Sequence, residues 1–358
     1  MVDSRAFLRS LSEAIGVSGY EANVARLVAT EFGKYADEVT TDRLGSIVAL
    51  ARGSGMEPRR RIMLAGHVDE IGLLVTKIEG EFLRFGQIGG VDVRVLPGQE
   101  VIVLGRRQLQ GVIASRPPHV LSPAERSKVT PQDKLFVDCG QTADELKEAV
   151  RVGDMIVVAR EFTELQGDYV AGRAFDDRTA VVVINECLKH LRSLRHAWDV
   201  YGVATVQEEV GLIGAMTGAY ALRPDLAVAI DVTHGSMLEG EPRTLPLGKG
   251  PTIVIGPNAH PKFGAFLKKA AAELEIPFQI EPAPGPTGTD GWALQVAREG
   301  VPTAIVGIPL RYMHTSVETA NIKDIERAGR WLAEAIARLS DTTLQEFAFD
   351  TPSAKEAK

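Results

Sequence analysis

The chain has 358 residues, of which 45% are hydrophobic and 24% charged, a composition typical of a globular protein long enough for two domains. Lys and Arg total 40 against 47 Asp and Glu, and this net charge of −7 comes with no basic run, so nucleic acid is not an expected partner. No apolar stretch approaches the roughly 20 residues of a membrane helix, and two cysteines, Cys139 and Cys187, are too few for a disulfide framework. We therefore expect a cytoplasmic protein with no membrane partner.

The first segment predicts one helix followed by two strands. Ser18 is expected to open the helix, and Glu21 completes a capping box three positions later. The apolar stripe of this helix comprises Val24, Leu27, Val28 and Phe32. Residues 42–50 and 61–65 then have the apolar character of strands, and the second of them ends just before His67.

A change of pattern at residues 73–158 predicts an inserted domain. Short β-rich pieces such as QEVIVLG and DMIVVA follow one another between turn residues, and only residues 143–150 have helical character. This spacing is typical of a small β-barrel or sandwich. The insert would interrupt an α/β domain formed by residues 1–72 and 159–345, with a tail at 346–358.

Alternating helices and strands return near residue 172. Helices are predicted at residues 177–194, 211–222, 263–274 and 321–339. Strands are predicted at residues 198–206, 226–232 and 303–307. Asp290 is expected to cap a further helix that carries Trp292. The alternation predicts an α/β fold with a mostly parallel sheet and helices on both faces.

Acidic and histidine side chains recur where these elements end. His67 and Asp69 follow a strand, and at i and i+2 on extended backbone their side chains leave on the same face. The later positions of this kind are Asp176, Asp177, Glu208, Glu209, Asp231, His234 and His314. Because ligands of open α/β sheets bind at the carboxyl ends of the strands, one edge of the sheet can bring these groups together.

The donor types indicate a metal-dependent hydrolase. Imidazoles and carboxylates suit Zn²⁺, Co²⁺ or Mn²⁺, and one carboxylate can bridge two ions roughly 3.5–4 Å apart. A further carboxylate is then needed as general base for water. Glu208 and Glu209 are neighbours whose side chains diverge on extended backbone, so one is expected to be a ligand and the other the base. The spacing alone does not say which.

The chain resembles the tetrahedral (TET), or glutamyl and deblocking, aminopeptidases, a family of dinuclear metallopeptidases in which some relatives have a cellulase-type label. The stretches that carry the resemblance occur in family order, and they are GHVDEIG, GVIASRPPH, AFDDRTA, TVQEEVGLIGA, AIDVTH, GTDGWALQ and GIPLRYMHTSVET. The resemblance extends from about residue 5 to residue 340. It implies a metal-dependent aminopeptidase that removes N-terminal residues from peptides.

At matching positions the resemblance implies a role for each site residue. It implies a pair of metal ions, Zn²⁺ or Co²⁺ with Mn²⁺ as a further option. The implied ligands are His67 and Asp231 for one ion, Glu209 and His314 for the other, and Asp176 for both. Glu208 is the implied general base, which moves a proton from water to the leaving amine. Asp69 is implied to orient His67 and tune its basicity.

The resemblance also implies self-association. The usual assembly of the family is a twelve-subunit tetrahedral shell built from dimers, and the insert at residues 73–158 is expected to form dimer and oligomer contacts. His119 lies in the insert, where it has either a structural role or reaches the site of a neighbouring subunit. The choice between dimer and dodecamer rests on the resemblance alone.

Several positions keep two interpretations. Asp177 fits a helix N-cap with an Arg178 contact better than a metal ligand, and His234 fits the wall of a loop better than a ligand. Arg311 either anchors a substrate carbonyl or carboxylate or pairs with an acid.

Two other functions compete with the aminopeptidase. A glycosidase would use a carboxylate pair, for which Glu208 and Glu209 are the candidates, although neighbouring side chains that diverge do not flank one glycosidic bond. A peptide-binding shell without catalysis is the other. The sequence leaves open the preferred N-terminal side chain, the native metal, and any action on blocked N-termini or glycans.

Overall fold

Helices and strands alternate through the part of the chain that the computed structural model describes, residues 3–238 and 244–349. The helices are α1 (Ser4–Glu13), α2 (Ala22–Phe32), α3 (Pro123–Arg126), α4 (Ala143–Ala149), α5 (Phe175–Leu191), α6 (Ile213–Leu222), α7 (Pro261–Glu273), α8 (Asp290–Gln295), α9 (Ile322–Ala337) and α10 (Thr343–Phe347). Of the predicted tail, residues 350–358 lie outside the described residues. Among the described residues, no helix is long and apolar enough to cross a membrane.

The strands form a central sheet, a barrel and a small third sheet. They are β1 (Glu38–Thr41), β2 (Ile47–Ala51), β3 (Arg61–His67), β4 (Gly72–Glu79), β5 (Phe82–Ile88), β6 (Glu100–Leu104), β7 (Gln108–Ala114), β8 (Phe136–Asp138), β9 (Met155–Val158), β10 (Thr163–Glu164), β11 (Tyr169–Gly172), β12 (Asp199–Thr205), β13 (Leu226–His234), β14 (Thr252–Ile255), β15 (Gln279–Pro282), β16 (Thr303–Leu310) and β17 (Glu318–Asn321). The small sheet has the order β10-β11-β17.

The central sheet has eight strands in the order β1-β2-β12-β3-β13-β16-β14-β15. Its middle strands β12, β3, β13 and β16 run parallel to one another, whereas β1, β2 and β14 add antiparallel pairs. Every residue of β16 is buried. Such continuously apolar strands are typical of a parallel sheet that is covered on both faces.

Helices cover both faces of this sheet. Ile62 and Leu64 of β3 lie in one apolar core with residues of α1, α2, α5, α7 and α9. Met63 and Ala65 alternate with them and face a second core that includes residues of α6 and α8. The predicted α/β fold, with a mostly parallel sheet and helices on both faces, is confirmed.

The predicted β-rich insert is a closed barrel with the strand order β4-β5-β8-β7-β6-β9. Successive side chains of each strand point to opposite faces of the barrel wall. Leu73 and Val75 of β4 and Val101 and Val103 of β6 therefore lie in a common core. The small β-barrel is thereby confirmed. Its role in oligomer contacts stays a prediction.

The start predicted at Ser18 for the helix that follows α1 is wrong. Helix α2 begins at Ala22, and no side chain caps it. Ser18 instead donates its hydroxyl to Asp69 Oδ2 at 2.6 Å, and Glu21 accepts a hydrogen bond from the main-chain N–H of Gly19. A tertiary contact therefore replaces the predicted capping box.

The strand predicted at residues 42–50 begins only at Ile47, because its first part is the turn between β1 and β2. Asp42 Oδ1 accepts hydrogen bonds from the main-chain N–H groups of Leu44, Gly45 and Ser46, at 2.8 to 2.9 Å. An Asp side chain that bonds its own following backbone favours a turn over a strand.

The predicted cap of the helix at Trp292 is also wrong. Thr289 is the N-cap, and its hydroxyl accepts a hydrogen bond from Gly291 N–H. Asp290 is the first residue of α8, and its Oδ2 accepts a hydrogen bond from the Thr205 hydroxyl at 2.6 Å. Asp290 therefore ties α8 to the end of β12.

Candidate metal centre

The predicted site residues meet at one edge of the central sheet. They are His67 at the end of β3, Glu208 and Glu209 after β12, Asp231 within β13, His314 after β16, and Asp176 near the start of α5. Strands β12, β3, β13 and β16 are adjacent and parallel, so their carboxyl ends lie on the same side.

Asp176 lies between two histidines. Its Oδ1 is 3.1 Å from His67 Nε2, and its Oδ2 is 3.1 Å from His314 Nε2. The main-chain N–H groups of Phe175 and Asp176 donate to Glu318 Oε2 at 2.7 and 3.2 Å, which holds this end of α5. A carboxylate with one oxygen toward each of two donor groups has the arrangement that a bridging metal ligand needs.

Glu208 and Glu209 point to different histidines. Glu209 Oε1 lies 3.3 Å from His314 Nε2, and Glu208 Oε2 lies 3.8 Å from His67 Nε2. The backbone here is a loop rather than the extended chain assumed from the sequence, since Gln207 has a φ of 57°. The two side chains diverge as expected, but because of the loop.

Asp69 holds this loop against the end of β3. Its Oδ1 accepts a hydrogen bond from Glu208 N–H at 3.0 Å, and its Oδ2 accepts from Glu209 N–H at 3.3 Å and from the Ser18 hydroxyl. His67 Nδ1 lies 3.2 Å from the Asp69 main-chain oxygen and 3.5 Å from Oδ1. Asp69 thus contacts both His67 and the backbone that carries the two glutamates.

Burial and mutual charge shift the pKa values of the site in opposite directions. Burial acts to lower the pKa of His67, but the surrounding carboxylates, Glu208 foremost, raise it well above its usual value. Hydrogen bonds with Asp176 and Glu209 raise the pKa of His314 to about 11. Burial acts to raise the pKa of Asp176, but the two histidines outweigh it and lower that pKa.

Three other carboxyls at this edge, those of Glu208, Asp231 and Asp177, have raised pKa values. Burial, together with neighbouring carboxylates, raises the pKa of Glu208 to about 8 and that of Asp231 well above its usual value. The pKa of Asp177 is raised in the same way, by burial and by Asp231. Crowded, buried carboxylates of this kind favour the binding of protons or cations.

The donor atoms of this edge fit divalent cations. Donor atoms of His67, Asp176 and Glu209 all lie within 4.8 Å of one another, and so do those of His67, Asp177 and Asp231. A tetrahedral ion with bonds of about 2.1 Å holds its ligands about 3.4 Å apart. The 3.1 Å separations on either side of Asp176 are close to that spacing.

Asp177 has the predicted capping contact but not the predicted partner. Its Oδ1 accepts a hydrogen bond from Ala180 N–H at 3.3 Å, as an N-cap does. The expected Arg178 contact is wrong, because the buried Arg178 side chain turns toward Glu70 Oε1 at 3.0 Å. Asp177 also accepts a hydrogen bond from His67 N–H at 3.3 Å, so it positions the backbone of His67 relative to α5.

The remaining candidates lie around the centre. His234 lines the cavity beside the centre, but the predicted loop position is wrong, because His234 is the last residue of β13 and pairs with Leu310 of β16. Arg311 Nε donates to the main-chain oxygen of Ser236 at 2.6 Å, a contact that the sequence did not predict. His119 lies exposed in a short turn of the barrel insert.

Glu318 is a buried site residue that the sequence reasoning missed. Its Oε1 accepts a hydrogen bond from His314 N–H at 2.8 Å, while its Oε2 accepts from Phe175 and Asp176. One carboxylate thus positions two predicted metal ligands. The signal was its place four residues after His314 in HTSVET, but an acid there is equally typical of an exposed turn.

A second missed group is a buried ionic cluster next to the site. Glu70 forms ion pairs with Arg173 and with Arg178, and all three side chains are buried. Arg178 also donates to the main-chain oxygen of Val68. The cluster therefore joins α5 to the segment that follows His67.

Two cavities meet at the centre. One of about 680 Å³ is lined by the five predicted metal ligands and by Glu208. The other, of about 610 Å³, lies toward the barrel, and its walls include Val91, Leu96 and Ile156. The second cavity is bounded by Asp176 but not by Glu208.

Comparison with known sequences gives the family. The sequence model of M42 glutamyl aminopeptidases matches residues 45–330, so the chain belongs to this family. The chain is 37% identical over 336 residues to the lysyl aminopeptidase of Pyrococcus furiosus, a match that covers 92% of this chain and 95% of the relative. The resemblance inferred from the motifs is thereby confirmed.

Solved structures agree with this assignment. A TET aminopeptidase from a marine sediment archaeon of the Thaumarchaeota is 37% identical, with a TM-score of 0.91 over 96% of this chain and 99% of that chain. The Pyrococcus horikoshii TET1 peptidase, described as assembling into a tetrahedron or a large octahedral shell, is 33% identical, with a TM-score of 0.83 over 94% and 100%. A Thermotoga maritima protein described as an endoglucanase is 29% identical, with a TM-score of 0.75 over 92% and 96%.

Proposed function

We propose that this protein is a metal-dependent aminopeptidase that removes N-terminal residues from peptides. The observation that carries the proposal is Asp176, whose two carboxylate oxygens each lie 3.1 Å from a different histidine, with the Glu208 carboxyl 3.8 Å from one of them. The family and its relatives support aminopeptidase activity.

Two divalent ions, Zn²⁺ or Co²⁺ with Mn²⁺ as a further option, would be held by the histidines and carboxylates of this edge. The proposed ligands are His67 and Asp231 for one ion, Glu209 and His314 for the other, and Asp176 for both. When bound, such ions polarise a carbonyl and lower the pKa of water. This set leaves Glu208 without a metal and free to exchange protons.

Glu208 is the proposed general base. It takes a proton from the attacking water and gives it to the amine that leaves when the peptide bond breaks. Its carboxyl lines the 680 Å³ cavity and is held by a loop that Asp69 fixes through two main-chain N–H groups. Asp69 is proposed as a positioning residue that acts through His67 and Glu208.

Assembly is a further part of the proposal. The TET1 relative forms tetrahedral or octahedral shells, and 94% of this chain superimposes on it. We extend this to dimers that assemble into a dodecamer, with the barrel insert forming contacts between subunits. A cytoplasmic location also remains part of the proposal, with residues 1–72 and 159–345 as the catalytic domain.

The test is metal removal followed by re-addition. The purified protein is stripped with a chelator and assayed on aminoacyl-arylamides with acidic, apolar and basic side chains, first without metal and then with Zn²⁺, Co²⁺ or Mn²⁺ singly. Activity is expected to vanish and to return with metal. Unchanged hydrolysis by the stripped protein would contradict a metal mechanism, and no hydrolysis under any metal would contradict the aminopeptidase.

A glycosidase is the second candidate, because one similar solved structure is described as an endoglucanase. A glycosidase needs two carboxyls on either side of one glycosidic bond. Glu208 and Glu209 instead face different histidines. Hydrolysis of a cellulose-type substrate by metal-free protein would favour this candidate over the peptidase.

A further inference from the structure

We propose that Glu281 makes this protein selective for peptides that begin with a basic residue, Lys or Arg. The inference rests on the proposed aminopeptidase function and names its substrate class. Glu281 lies on β15 and lines the same cavity as His67, Glu208 and Asp231. It is the acidic group of that wall to which the proposed mechanism gives no role.

The substrate has to occupy this cavity rather than the one toward the barrel. A general base must lie within hydrogen-bond reach of the proton that it takes, directly or through one water. Glu208 lines the 680 Å³ cavity and does not line the other. The scissile bond of a bound peptide therefore lies in the cavity that contains Glu281.

An exopeptidase of this kind places few atoms beyond the scissile carbonyl. They are the free amine and the side chain of the first residue, and the cavity wall beyond the metal ligands is what that side chain contacts. This part of the wall includes Thr233, Glu281, Thr287 and Thr289. Glu281 is the acidic group of this part of the wall, which also includes His234.

The Glu281 carboxylate is held in one position. Its Oε1 accepts a hydrogen bond from the Thr233 hydroxyl, and its Oε2 accepts one from the Thr252 hydroxyl, both at 2.7 Å. Each oxygen retains a further acceptor site, because an ionised carboxylate has about four in all. The carboxylate is thus oriented without being neutralised.

The surrounding backbone leaves room for this arrangement. A Cβ added to Gly307 of β16 would lie 2.4 Å from Thr252 Oγ1 and 3.1 Å from Glu281 Oε2. Glycine at this position therefore makes space for the carboxylate and its hydroxyl partner. Along β15, Gln279 and Glu281 are half-buried while Ile280 and Pro282 are exposed, so the strand turns Glu281 inward.

The charge of the wall suits a cationic side chain. Within the described part of the chain, neither Lys nor Arg lines this cavity. An ammonium or guanidinium group reaching Glu281 would form a charge-assisted hydrogen bond. An acidic first residue would instead meet a carboxylate of the same sign, and an apolar one would form no hydrogen bond with Glu281, which would keep only its two threonine partners.

The test compares Glu281→Gln with Glu299→Gln in the metal-loaded enzyme. Both variants remove one negative charge, but Glu299 is exposed between α8 and β16 and does not line the cavity. The amide that replaces the Glu281 carboxylate retains hydrogen-bonding groups for both threonines. Turnover is measured on lysyl-, arginyl- and leucyl-arylamides, and the norleucyl compound serves as a neutral match for lysyl.

The wild type is expected to prefer the lysyl over the norleucyl compound. Glu281→Gln is expected to lower kcat/KM for the lysyl compound about tenfold, because it loses roughly one charge-assisted hydrogen bond. The leucyl and norleucyl values are expected to stay within twofold, as are all values for Glu299→Gln. A Glu281→Gln enzyme with an unchanged ratio of lysyl to norleucyl would overturn the inference.

A binding measurement gives an independent check. Free lysine is expected to inhibit leucyl hydrolysis by the wild type more strongly than norleucine does, and Glu281→Gln is expected to remove the difference. Equal inhibition by the two amino acids in the wild type would also overturn the inference. If the enzyme cleaves leucyl but shows no basic preference, only this inference fails, whereas no cleavage of any arylamide means that the proposed function fails.

Discussion

Replacement of Asp69 by Asn tests how the centre is held together. The Asp69 carboxylate accepts the N–H groups of Glu208 and Glu209 on different oxygens, at 3.0 and 3.3 Å. Asn has only one acceptor oxygen, so in either orientation its NH₂ group faces one of these two N–H groups. The Asp69→Asn protein therefore loses one of these hydrogen bonds, and the loop that carries the proposed base moves.

The size of the effect follows from that lost contact. A hydrogen bond to a charged group contributes about 1.5–3 kcal/mol, which corresponds to roughly 10–150-fold in a rate or binding constant. Replacement of outer-shell carboxylates at metal sites typically costs about 10–100-fold. We therefore expect Asp69→Asn to lower turnover or metal affinity about 10–100-fold.

The assay is steady-state hydrolysis of an aminoacyl-arylamide across a range of metal concentrations. It separates weakened metal binding from slower turnover of the fully loaded enzyme. Asp144→Asn is the matched control, because the Asp144 side chain is 94% exposed on the barrel insert. If Asp69→Asn stays within twofold of the wild type in metal affinity and in turnover of the loaded enzyme, the positioning role is refuted.

Three further predictions concern the base, the buried ionic cluster and the metal. Glu208→Gln is expected to lower turnover by about 10²–10⁴-fold with unchanged metal content, as loss of a general base does; substantial turnover would remove Glu208 as the base. Glu70→Gln is expected to lower the free energy of unfolding by about 3–5 kcal/mol, because it leaves Arg173 and Arg178 buried without their anion. The control is Glu79→Gln, which removes the same charge at an exposed position on β4. Equal urea midpoints for the two variants would contradict this prediction. Chelation is expected to lower the unfolding temperature, by the linkage of metal binding to the folded state, and an unchanged temperature would mean that metal does not bind.

The contribution of Glu70 to the free energy of unfolding should depend on pH. Burial acts to raise the pKa of Glu70, but Arg173 and Arg178 outweigh it and lower the pKa below the usual 4.5. A lowered folded-state pKa stabilises the protein at pH values above the unfolded pKa, and that stabilisation is lost as the pH falls through the folded value. The difference in stability between wild type and Glu70→Gln is therefore expected to be full near pH 7 and to shrink below about pH 4.

The fold could be predicted because its signals are local. Continuous apolar strands such as β13 and β16, separated by helical periodicity, determine a covered parallel sheet. Side chains at the ends of such strands share an edge whatever the details of the loops. This is why His67 and Asp231, far apart in the chain, could be assigned to one site.

The details that could not be predicted depend on tertiary partners. Ser18 has the sequence of a helix cap, but the buried Asp69 carboxylate competes for its hydroxyl and receives it. Glu318 looks like an exposed acid until α5 and the loop after β16 are brought together, and only then do its two oxygens bind N–H groups of both segments. The divergence of Glu208 and Glu209 likewise comes from a loop conformation that no periodicity reveals.

The central claim is that one carboxylate joins two metal ions that catalysis requires. The most direct measurement is metal content against turnover in the wild type and in Asp176→Ala, with metal added stepwise to chelated protein and both quantities followed at every step. The account predicts that wild-type turnover rises to a plateau at about two ions per chain, the number of a two-metal site, and that Asp176→Ala neither retains both ions nor turns over. Full turnover by metal-free wild type, or by Asp176→Ala, would contradict it.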